Sequence, residues 1–100
     1  MRIVRWTGPA EQSADRYLDM LLEANPSAAK RAREEIQAAT RHFMWMPTPG
    51  RPSQRWPGCR ELSLLRWKKI IVLKIFPDRL SVLAFLDARQ DLDVIDLIQE

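Results

Sequence analysis

One hundred residues, 46% hydrophobic and 29% charged with a formal net charge of +3, make one folded domain spanning 1–100 and exclude a disordered chain. The longest aliphatic run, Ile70-Ile71-Val72-Leu73, is far short of the roughly 20 residues that cross a bilayer, and the start MRIVRWTG has no apolar signal core, so a cytoplasmic protein with no membrane partner is expected. A single cysteine, Cys59, allows no internal disulfide and no metal-ligand spacing, so neither a metal nor a cofactor is expected.

Ile3, Val4 and Trp6 favour a first strand within Met1–Trp6. Thr7-Gly8-Pro9 breaks it, with proline placed for a first helical turn. Apolar residues at Ala10, Ala14, Tyr17, Leu18, Leu21 and Leu22 then have the spacing of a helix with one buried stripe. Asn25-Pro26 ends that helix and starts the next, as N-cap and first helical residue. The second helix repeats the pattern at Ala29, Ala32, Ile36, Ala39 and Phe43, and its alanines allow the close approach of an antiparallel helical hairpin.

Residues 47–58 hold four of the seven prolines and two of the three glycines, which excludes helix and central strand there. Three short strand-like segments follow: Cys59–Leu65, Trp67–Phe76 and Leu80–Leu86, the last two joined by the turn residues Pro77-Asp78-Arg79. Such short links predict an antiparallel meander with the second segment central. Asp91–Gln99 places Leu92, Ile95 and Ile98 on one helical side and predicts a short terminal helix. The expected fold is α+β, ordered β-α-α-β-β-β with a C-terminal helix. The helical hairpin packs on one face of the mainly antiparallel sheet, and the other face is left solvated or bound to a partner.

Charge is unevenly spread. Residues 1–50 carry +1, residues 51–79 carry +6, and residues 80–100 carry −4. The positive field therefore lies on the strands and predicts an anionic partner. Alternation along the central segment puts Lys68 and Lys74 on one side and Trp67 and Lys69 on the other, which leaves open which set is exposed.

Several local words add a resemblance. Thr7-Gly8-Pro9-Ala10-Glu11, Asn25-Pro26 followed by alanines, Gly50-Arg51-Pro52, Arg60-Glu61-Leu62 and Ala88-Arg89-Gln90-Asp91-Leu92, in that order, resemble the ParE/RelE superfamily of small toxins from bacterial toxin–antitoxin pairs. The resemblance implies a cognate antitoxin that folds as it wraps the toxin, together with growth arrest and a role in plasmid stabilisation. It also implies either of two targets. The RelE-like branch cuts messenger RNA on the ribosome; the ParE-like branch binds DNA gyrase and traps it on cleaved DNA.

RNA cleavage needs a group to accept the 2′-hydroxyl proton and another to protonate the leaving oxygen. The only histidine, His42, and only tyrosine, Tyr17, fall on the helices. Where the superfamily often has tyrosines on the central strand, this chain has Lys69 and Leu73, and where a histidine often precedes the terminal arginine it has Asp87. A nuclease would have to rely on Glu61 as base with Arg60, Lys69 and Arg89. The ParE-like branch, with no catalytic residues, is favoured, and a plain nucleic-acid-binding module is a third reading, since Trp and Arg alternate at Arg55-Trp56 and Arg66–Lys69. The expected target-binding residues are Arg60, Arg66, Trp67, Lys68, Lys69, Lys74, Arg79 and Arg89, with no small-molecule substrate.

Overall fold

The computed structural model describes residues 1–97. Strand β1 (Ile3–Trp6) leads into helices α1 (Gly8–Ala24) and α2 (Pro26–Trp45), then strands β2 (Arg51–Pro52), β3 (Arg60–Leu64), β4 (Lys69–Ile75) and β5 (Arg79–Asp87). The capping residues act as their chemistry dictates. The Thr7 hydroxyl oxygen accepts the Ala10 N–H (3.3 Å) and donates to the Leu83 carbonyl (3.2 Å), fixing α1 to β5. Asn25 ends α1 by donating its backbone N–H to Leu21 (2.7 Å) and caps α2 by accepting the Ala28 N–H (3.1 Å).

The five strands lie in the order β1-β5-β4-β3-β2. β3, β4 and β5 form the expected antiparallel meander, and β1 returns parallel to β5 at the edge. The hairpin covers one face: Ala10, Ala14 and Leu18 of α1 and Ala32, Ile36, Ala39 and Phe43 of α2 pack on Leu64, Ile71, Leu73, Leu80, Val82 and Phe85. Leu22, expected in the buried stripe, is 49% exposed, because it lies one position past the stripe that Leu18 and Leu21 complete.

Three expectations need correction. The second face of the sheet is not left uncovered. The proline-rich loop and the C-terminal segment fold over part of it, so that Trp56, Cys59, Leu92, Ile95 and Leu97 pack on Ile70, Val72, Leu83, Ala84 and Leu86. The terminal helix is only a 3₁₀ turn at Leu92–Val94, capped by Asp91; Ile98 and Gln99 lie outside the described residues. Leu92 and Ile95 point at the sheet without needing helical continuation. The central strand also starts later than its sequence suggests. Leu65–Trp67 form a 3₁₀ turn and Lys68 is left-handed (φ 55°), so strand alternation begins only at Lys69.

A bulge decides the facing of β5. Val72 pairs with Ala84 but Leu73 pairs with Val82, so Leu83 is the extra residue. Leu83 and Ala84 both join the second face, and Phe85 returns to the helical face, where strict alternation would not place it.

Candidate functional site

The expected target-binding residues do not form one surface. Arg60 faces the loop: its guanidinium donates to the carbonyls of Pro49 (2.7 Å), Gly50 (3.1 Å) and Thr48 (3.4 Å), and so holds the loop down. Trp67 donates its indole N–H to Glu35 of α2, and Arg66 stands 3.8 Å from the same carboxylate, so both are committed to α2. Lys68, exposed at the corner, shapes the chain into β4. The remaining four residues fall into two pairs at opposite ends of β4. Lys69 and Arg89 lie at one end and Lys74 and Arg79 at the other, about 17 Å away along the strand.

At the first end, Lys69 and Arg89 converge on Asp87. The Arg89 guanidinium makes two parallel hydrogen bonds to it (3.1 Å each), the Arg89 backbone N–H adds a third (2.9 Å), and the Lys69 ammonium lies 3.6 Å away. Tyr17 of α1 completes the group, its ring 4.4 Å from the Lys69 ammonium. Tyr17 lies at the edge of the buried stripe of α1, and the packing of α1 on β5, with its ring 5.9 Å from that of Phe85, brings it here. This corner is on the helical face, where Arg89 and Lys69 share Asp87 as a partner.

The electrostatics follow from this geometry. The Asp87 carboxyl is held well below the usual carboxylate range, first by the Arg89 side chain and then by the Arg89 backbone N–H; burial opposes them, and the charges of Lys69 and Arg89 add smaller lowering effects. Burial raises the Tyr17 phenol, with Arg89 lowering and Asp87 raising it. Arg89 is pushed up by Asp87. A carboxyl depressed in the fold stabilises it fully above the ordinary value of 3.8 and loses that contribution as pH falls below it toward the folded value. The melting temperature of the parent should therefore fall more steeply below pH 3.8 than that of Asp87→Asn. Parallel melting curves would mean that Asp87 does not hold these cations in solution.

Glu61, the candidate base, is on the second face, because it pairs with Val72, whereas Lys69 faces the helices. Its side chain is 5% exposed, accepts the Ser53 hydroxyl (2.6 Å) and lies 3.8 Å from Arg51. Ser53 in turn accepts the Trp56 N–H (2.9 Å). Glu61 thus knits the loop to β3, beside a cavity of about 420 Å³ lined by Arg51, Gln54, Arg55 and Asp93. The four residues of the nuclease reading, Arg60, Glu61, Lys69 and Arg89, do not meet at one point. Among the described residues no three His, Cys, Asp or Glu side chains cluster to hold a metal, and no helix is long and apolar enough to cross a membrane.

Comparison with known proteins finds a family and solved structures similar to this chain. The family described as the ParE toxin of type II toxin–antitoxin system, parDE, matches residues 4–92. Among solved structures, a chain of the chromosomal ParDE TA system from P. aeruginosa superposes with a TM-score of 0.73 at 25% identity, over 85% of this chain and 94% of that one. No curated protein matches significantly.

Proposed function

The chain belongs to the ParE toxin family of type II toxin–antitoxin systems, and from that premise we propose that it arrests growth by binding DNA gyrase without chemistry of its own. As a toxin of such a pair it has an antitoxin partner; neutralisation by that partner is part of the proposal. One observation carries the non-enzymatic reading. The corner that gathers Tyr17, Lys69 and Arg89 contains a proton donor, Tyr17, but the one carboxylate found there among the described residues, Asp87, is held so firmly as an anion that it is a poor base. Binding through Arg89 and Lys69 needs no base.

The same corner supplies the one argument for the runner-up, ribosome-dependent cleavage of messenger RNA, since a tyrosine beside two cations could protonate a leaving oxygen and stabilise charge on a phosphate. The two readings part in vitro. The purified protein should inhibit supercoiling of plasmid by gyrase and leave messenger on ribosomes intact. Cleavage of messenger in the ribosomal A site, with supercoiling unaffected, would overturn the gyrase reading and direct attention to Tyr17.

A further inference from the structure

Leu65, at the start of the 3₁₀ turn between β3 and β4, is the most exposed large apolar side chain among the described residues, at 84%. A lone exposed leucine is ordinary on a surface, but this one sits on a turn held at several points. The Lys68 N–H donates to the Leu65 carbonyl (3.3 Å), and the Ala88 N–H donates to the Lys68 carbonyl (2.8 Å). Trp67 and Arg66 are both drawn to Glu35 of α2. The turn is thus tied to α2 and to the segment after β5, and Leu65 stays in water because its backbone is fixed there. Lys68 adds a second anomaly. Exposed, it is the one non-glycine among the described residues with a positive φ, a conformation that glycine or asparagine adopts with less strain. The turn also adjoins the corner described above, since Leu64 pairs with Lys69 and Lys69 with Asp87.

We propose that the Leu65–Lys68 turn is the element by which the toxin grips its protein target, Leu65 entering an apolar socket while Lys68 and Arg89 pair with acidic groups on its rim. An apolar anchor ringed by charge is how protein interfaces concentrate their binding energy. The fixed backbone lowers the ordering cost of binding. Strain retained at an exposed lysine points to contact, because folding alone would be served better by glycine. Arg66, Lys68, Lys69 and Arg89 share this end of the sheet with the carboxylates Glu35 and Asp87 and leave it net positive, which suits an acidic partner. Those two carboxylates are compatible with the discrete charges of a protein surface, whereas they would repel the continuous phosphates of a nucleic acid. The inference rests on the proposed binding of gyrase and names the part of the toxin that engages it.

The test compares the parent with Leu65→Ser, Lys68→Gly and Val94→Ser, measuring affinity for purified gyrase, growth arrest on induction and melting temperature. Leu65→Ser should bind about 10- to 100-fold more weakly, the loss expected for a leucine no longer buried in a socket. It should arrest growth less and melt like the parent, since its side chain already lies in water. Lys68→Gly keeps the left-handed turn without the strain, so it should stay folded while binding several-fold more weakly. Val94→Ser, which removes another apolar side chain open to water (76% exposed), should behave like the parent. Undiminished binding and arrest in Leu65→Ser, or an equal loss in Val94→Ser, would overturn the proposal. So would weaker binding of a random-sequence duplex by Leu65→Ser with gyrase binding unchanged, which would make the turn a nucleic-acid contact. Failure of the parent to bind gyrase would overturn the gyrase reading alone, and growth arrest of the same variants would then decide whether the turn meets the target.

Discussion

Arg89→Ala is expected to abolish growth arrest on induction while the chain stays folded at neutral pH, its melting temperature lowered only by loss of the exposed pair with Asp87. The arginine side chain is 65% exposed and fills no core volume, so its removal leaves no cavity. Asp87 keeps Lys69 as a partner, so the variant does not strand a buried charge. What is lost is the planar, two-pronged donor at the corner shared with Tyr17 and Lys69, and that donor is what an anionic group on a target would engage. Arg89→Lys keeps the charge without the fork and should recover only part of the toxicity. Asp93→Ala removes a surface pair with Arg55 (2.9 Å) away from this corner and should arrest growth like the parent. Toxicity undiminished in Arg89→Ala, or lost only because circular dichroism shows the variant unfolded, would remove Arg89 from the target-binding site while leaving family membership untouched.

The largest expected loss of stability comes from Gly50→Ala. Gly50 has φ +70°, and a Cβ there would sit 2.4 Å from the Glu61 carbonyl oxygen and 2.9 Å from its carbon. Both atoms belong to the backbone of β3, which cannot yield without disturbing its pairing with β4. Left-handed strain and the clash together should cost about 3 kcal/mol, or about 15 °C in melting temperature for a domain of this size. Gly58→Ala is the control. Its φ is +88° but nothing lies within 4 Å of the added carbon, so only the backbone strain remains, about 1 kcal/mol. Equal melting shifts for the two variants would show that close approach to β3 is not what requires glycine at position 50.

Local chemistry made much of this fold legible. Asn25-Pro26 can only end one helix and begin another, and steps of three and four from Ala29 to Phe43 can only bury one side of a helix, so the hairpin follows from neighbours in sequence. The same holds for the antiparallel meander, whose short turns leave the chain no other pairing. The words that carried the family resemblance were legible too, but their reason was not. Gly50-Arg51-Pro52 and Arg60-Glu61 lie ten residues apart and meet as one unit: Arg51 pairs with Glu61, Pro52 with Arg60, and Gly50 lets the loop cross the backbone of β3. Pro52 is tolerated because β2 is the sheet edge.

Facing and convergence were decided by the tertiary structure alone. Strand alternation fixes which residues share a side but not which side meets the helices, and a single bulge at Leu83 reverses the count for Phe85 and Asp87. Lys69 therefore went to the helical face and Lys74 to the other, although both belong to one basic segment. Tyr17 and Asp87 are 70 residues apart, so their grouping leaves no local signal: it exists because α1 packs on β5. Sequence determined the elements because helix caps, turns and periodicity act between near neighbours. The structure decided the surfaces because a surface is made of side chains whose only relation is that packing brought them together.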